Sequence, residues 1–158
     1  KMTDLRYSGE VKSESSVESI MRFVTSPERL ASAFPDVRSF ELKDGSSRIR
    51  FSIDLSRFSN RKDISHIAAL TATLNLSYET VEERHVVIVG KGRSAGSAIS
   101  VRVELKLEEV PGGTSVRWNA TVNPGIVLRL VGRDEISSIS EKFINHLIEE
   151  FRKGVSAG

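Results

Sequence analysis

Residues 99–122 read ISVRVELKLEEVPGGTSVRWNATV. Ile99, Val101, Val103, Leu105 and Leu107 alternate with Ser100, Arg102, Glu104 and Lys106, a period of two that marks a strand with one buried face. Pro111-Gly112-Gly113 supplies a turn, and Val116, Trp118, Ala120 and Val122 resume the alternation, so the stretch predicts an antiparallel hairpin. After Pro124-Gly125 the period lengthens. Ile136, Ile139, Phe143, Leu147 and Phe151 fall on one helical stripe, with Ile126, Leu130 and Val131 in earlier turns. A hairpin with one apolar face followed by a long amphipathic helix predicts that the helix covers the sheet.

The same two periods organise the rest of the chain. Residues 3–13 read as a first strand. Ser15 and Glu18 make a capping-box pair ahead of Val17, Ile20, Met21 and Val24, and Ser26-Pro27 opens a second short helix carrying Leu30, Ala31 and Phe34 until Pro35 stops it. Asp44-Gly45 joins strands over 37–43 and 46–55, where Ile49, Phe51, Ile53 and Leu55 alternate with polar residues. The polar stretch Arg57–Ser65 (RFSNRKDIS) reads as a loop. Leu70, Ala72, Leu74, Leu76 and Tyr78 form the next alternating set, and Val86–Val89 runs continuously apolar. The prediction is an α+β fold over 1–158 as one domain: a seven-stranded curved antiparallel sheet wrapped around a long C-terminal helix, with two short helices after the first strand. The tail 154–158 is expected to fray.

Composition narrows the function. With 39% hydrophobic and 28% charged residues, the chain is of neither disordered nor membrane-spanning type. Its net charge is +2 and its basic residues are spread along the sequence, which argues against a nucleic-acid partner. The absence of cysteine excludes disulfides, thiolate metal sites and a cysteine nucleophile. No leader-like run and no apolar run of about 18 residues is visible, so a cytoplasmic protein with at most peripheral membrane contact is expected.

The element order, together with Gly9, Val11, Val17, Pro27-Glu28, Leu30, Phe34-Pro35, Gly90-Lys91-Gly92, Gly96, Gly113-Thr114 and the phenylalanine-bearing closing helix, resembles the helix-grip proteins of the START-like (SRPBCC) superfamily. Within it, the chain is most similar to the carbon monoxide dehydrogenase G-subunit family. That resemblance implies a cavity between sheet and long helix for lipids, quinones or other apolar molecules, and an accessory role beside molybdenum hydroxylases.

Several motifs imitate chemistry without its context. Gly92-Arg93-Ser94-Ala95-Gly96 matches G-x-S-x-G, but a nucleophile elbow needs a strand-to-helix turn, and a strand is predicted to follow. Gly90-Lys91-Gly92 with Gly96 lacks the following helix that a dinucleotide fingerprint requires, so these glycines are expected to bend or bulge the sheet. His66, His85 and His146 are too scattered for a metal site, and no metal or cofactor is expected. Glu82-Glu83, Glu108-Glu109 and Glu149-Glu150 read as solvated charges. Arg57, Phe58, Arg61 and Lys62 form a basic-aromatic loop that reads first as ordinary solvated surface, with contact to an anionic lipid surface or a partner protein as the alternative.

Three functional readings follow, in this order. The first is non-enzymatic binding or carriage of an apolar small molecule, with a wall of Phe51, Ile53, Leu74, Leu76, Val101, Val103, Trp118, Leu130 and Phe143. The second is an accessory protein that docks on an oxidoreductase. The third is a helix-grip enzyme, for which Tyr78, Arg133, Asp134 and Glu135 are the nearby ionisable candidates.

Overall fold

A computed structural model describes residues 4–54, 69–126 and 131–157. The elements run β1 (Leu5–Ser13), α1 (Val17–Val24), α2 (Pro27–Ser32), β2 (Val37–Lys43), β3 (Ser46–Asp54), β4 (Ala69–Glu82), β5 (His85–Ser94), β6 (Ser97–Val110), β7 (Gly113–Asn123) and α3 (Arg133–Ala157). The strands form one seven-stranded sheet in the order β1-β7-β6-β5-β4-β3-β2, and every neighbouring pair is antiparallel. The predicted α+β helix-grip arrangement is therefore present. β2 and β1 form the two edges.

Local chemistry explains most boundaries. The cap of α1 is Ser16, one residue later than the sequence suggested: its Oγ accepts from the Ser19 N–H at 3.1 Å, and the Ser15 N–H donates to Ser13 Oγ instead. Starting the helix at Val17 puts Val17, Ile20, Phe23 and Val24 on the buried face, and core burial decides between adjacent serines that cap equally well. Ser26 caps α2 from ahead of Pro27, as predicted. Asp44 and Gly45 both have positive φ, as do Ala95 and Gly96, the backbone that two-residue hairpins prefer. The second pair turns the chain straight from β5 into β6. The G-x-S-x-G match thus lies in a hairpin, and Ser94 Oγ donates to the Thr71 carbonyl.

β4 to β7 run longer than their apolar alternation. Polar residues at their ends still complete backbone ladders, because an antiparallel partner satisfies N–H and C=O whatever the side chain is. Gly92 shows what the glycines accomplish. It pairs with Leu74 without a register shift, yet a Cβ built on it would fall 1.7 Å from the Thr73 carbonyl oxygen. The two backbones approach more closely there than any side chain allows, and the register runs on without a bulge. The irregularity in this pair lies elsewhere, between Tyr78 and Thr80.

α3 begins at Arg133, immediately after Gly132, which adopts φ 94°. Asp134 and Glu135 then stand in the first turn, where carboxylates complement the helix dipole. The tail does not fray at 154. The helix runs to Ala157, Val155 is 4% exposed, and Phe151 meets Phe23 of α1 edge-on at 5.3 Å.

Candidate functional site

The inward faces of the strands and α3 line a cavity of about 340 Å³. Phe51, Ile53, Leu74, Leu76, Val101, Val103, Trp118 and Phe143, the residues singled out by alternation, all line it. Leu130, the ninth, lies outside the described residues, as does the Arg57–Ser65 stretch. Alternation also led past much of the wall: Leu30 and Phe34 around α2, and Ile136, Ile139, Leu147 and Phe151 along α3, border the same space. The helical stripe and the Ser26-Pro27 helix already carried that signal, because an apolar face on a helix over a sheet must meet the sheet's own apolar face.

Three aromatic rings from three parts of the chain form one side of the cavity. Phe51 of β3 and Phe143 of α3 stack at 6.0 Å with planes 23° apart, while Phe34 meets Phe51 edge-on at 5.0 Å and Phe143 at 6.3 Å. Toward the β1 edge, the Trp118 indole lies across Gly9 of the neighbouring strand. A Cβ at Gly9 would sit 2.8 Å from Trp118 Cζ2 and 2.9 Å from Nε1, so only glycine leaves room for the ring. Trp118 Nε1 and the Tyr7 hydroxyl are buried without a hydrogen-bond partner among the described residues.

Polar groups on the described wall are few, and two are already engaged. Ser94 bonds the Thr71 carbonyl, and Asn123 Oδ1 accepts from the Gly125 N–H. Ser100 and Ser140 also border the space. None of the described lining residues is ionisable. Tyr78 donates to the Val24 carbonyl at 2.6 Å, and burial pushes its phenol up to about 12; it ties β4 to α1 and does not border the cavity. Asp134 is exposed at the start of α3. The wall offers contact and dehydration, with no proton donor or acceptor of tuned pKa among the described residues.

His85 is remote from the cavity. Its Nε2 lies 2.7 Å from Glu104 Oε2 and its Nδ1 3.1 Å from Glu82 Oε1. Hydrogen bonding to Glu104 and then Glu82 raises the imidazole above its ordinary value, and the reciprocal bond holds Glu104 below the usual carboxylate range. No cluster of three or more metal-ligating side chains occurs among the described residues, nor does any helix long and apolar enough to cross a membrane.

A fold with this cavity narrows the choice of family, and comparison with known proteins decides it. The family model for the carbon monoxide dehydrogenase G subunit (CoxG) matches residues 9–156. The chain belongs to that family. Solved structures with the same fold include a conserved protein from Geobacillus kaustophilus (TM-score 0.81, 12% identity, covering 97% of this chain and 96% of that one). A START superfamily protein from Mycobacterium smegmatis aligns at TM-score 0.67 and 10% identity, over 96% and 97% of the two chains. Ara h 8.0201 aligns at 0.66 and 13%, over 98% and 99%. At these identities the neighbours establish the START-like fold of this CoxG-family chain. No curated protein matches the sequence.

Proposed function

We propose that this CoxG-family chain binds and carries an apolar small molecule, of lipid or quinone type, in the cavity between its sheet and α3, and that it does so in the cytoplasm. The observation that carries the reading is a cavity of about 340 Å³ whose wall, among the described residues, is almost wholly apolar. That volume falls at the lower end of the roughly 300–1,000 Å³ of small-molecule sites. Water is a poor filler here, because an ordered molecule needs two to four polar partners and the described wall offers few free ones. Left unfilled, that wall exposes apolar surface to water at roughly 25 cal/mol per Å². An apolar occupant removes that penalty. Phe51, Ile53, Leu74, Leu76, Val101, Val103, Trp118 and Phe143 are proposed as its contacts, with the Phe34–Phe51–Phe143 group suited to a flat or branched moiety.

Titration with fatty acids and quinones, followed through Trp118 fluorescence, tests this directly: the sequence has one tryptophan, and it borders the cavity. A saturable change at one ligand per chain is expected. No change with any member of either series would defeat the reading. The family name favours a second role, as an accessory protein to a carbon monoxide dehydrogenase-type enzyme, and the two roles are compatible because the cavity and the outer sheet face are separate surfaces.

A further inference from the structure

The alternation that sends Ile49, Phe51, Leu74 and Leu76 inward sends Arg48, Arg50, Thr73 and Asn75 outward. The register then aligns Arg48 with Asn75 and Lys91 in one row, and Arg50 with Thr73 and Arg93 in the next. Four exposed cations thus stand at the corners of a rectangle about 7 Å by 10 Å, set by strand geometry. Two polar residues form its floor. The whole chain carries a net charge of only +2, so four cations in one rectangle are a local concentration of positive charge.

Hydrogen bonds hold part of the grid in place. Arg48 Nε donates to Asn75 Oδ1 at 3.2 Å, Asn75 Nδ2 donates to the Lys91 carbonyl at 3.3 Å, and Arg93 Nη2 donates to the Gly96 carbonyl at 2.6 Å. Neutralisation is what the grid lacks. Arg38, Arg102, Arg117, Arg152 and Lys153 each have a carboxylate partner, whereas none of the four grid residues is in an ion pair with a described residue. Glu41 faces Arg48 in the register without pairing to it.

We propose that this outer face is a docking surface for a protein presenting a cluster of carboxylates. Three of the four cations are arginine, whose planar fork suits bidentate carboxylate pairing, and their spacing is fixed by a sheet, which suits a structured partner. A bilayer is the poorer fit: Thr73 and Asn75 between the cations offer nothing apolar to insert. Because the cavity lies on the opposite face of the same sheet, a docked partner leaves it free, and the proposal stands apart from the cavity reading.

The test measures binding of the chain to purified carbon monoxide dehydrogenase from the same organism by biolayer interferometry at low and high salt, beside phosphatidylglycerol vesicles. The double variant R50E/K91E is compared with R50Q/K91Q and with the control R6E/K12E on β1. Binding that weakens with salt is expected. Association should slow roughly tenfold or more in R50E/K91E, less in R50Q/K91Q, and not in the control, with melting temperature and apolar-ligand stoichiometry unchanged in all three. The proposal is overturned if the enzyme does not bind, if R50E/K91E binds it like the parent, or if the grid variants lose only vesicle binding or self-association.

Discussion

Replacing Ala120 by phenylalanine separates a ligand cavity from ordinary core packing. Ala120 is buried on the inward face of β7, opposite Val103 of β6 and Tyr7 of β1, and it borders the cavity. A cavity of about 150 Å³ just holds a benzene ring, so the new phenyl would take up somewhat less than half of the 340 Å³. Filling that space buries the ring and the wall against each other at roughly 25 cal/mol per Å² of apolar surface removed from water, before the strain of placing the ring. A net gain of about 1 kcal/mol or more in the ligand-free protein is therefore expected, a rise in Tm of roughly 2–4 °C. Ligand affinity should fall at least tenfold in the same variant. Stability and binding move in opposite directions, which ordinary core damage cannot produce. The assay is thermal and urea unfolding of delipidated protein, beside ligand titration of both forms. A loss of about 1–3 kcal/mol, the usual result of overpacking, together with unchanged binding, would refute the reasoning.

Three further outcomes follow from single contacts. Gly92→Ala should lose about 3 kcal/mol or more in urea unfolding, since its Cβ would strike the Thr73 carbonyl and disrupt ladder bonds on both sides; a loss under about 1 kcal/mol would show that the close approach tolerates a side chain. Tyr78→Phe should cost about 1–2 kcal/mol by orphaning the Val24 carbonyl while leaving ligand affinity unchanged, and a selective loss of binding would place Tyr78 in the site. The His85 contacts set a pH window. With the histidine's pKa raised, its contribution is complete below its ordinary 6.5 and fades as pH rises through the folded value; with Glu104 lowered from 4.5, its contribution is complete above that and fades as pH falls. The difference in Tm between the parent and His85→Gln should therefore peak between about pH 4.5 and 6.5 and shrink by pH 9, and a difference that grew with pH would contradict the assignment.

The sequence and the structure agree where one physical cause acts alone. Period-two alternation around Ile99–Leu107 and Val116–Val122 placed strands and their inward faces, because a half-buried sheet leaves no other pattern. Strand ends were illegible, since Lys91, Glu108 and Glu109 extend ladders through backbone bonds that side chains do not announce. The Ser15 or Ser16 choice at α1 turned on which start buries Ile20 and Phe23, a tertiary matter. Most of one wall could be read from the strands, whereas the approach of Phe34 and Phe143 to Phe51 depends on where two helices settle. The basic grid was hidden for a related reason. Arg48, Arg50, Lys91 and Arg93 look dispersed along the chain, and only the β3–β4–β5 register brings them onto one face.

Native mass spectrometry of gently purified protein, followed by denaturing extraction, tests the central claim most directly. The account predicts an adduct of one lipid- or quinone-sized molecule per chain, or its uptake on incubation, and loss of that adduct in Ala120→Phe. A clean unliganded mass that no apolar compound shifts, with Trp118 fluorescence equally unmoved, would contradict it.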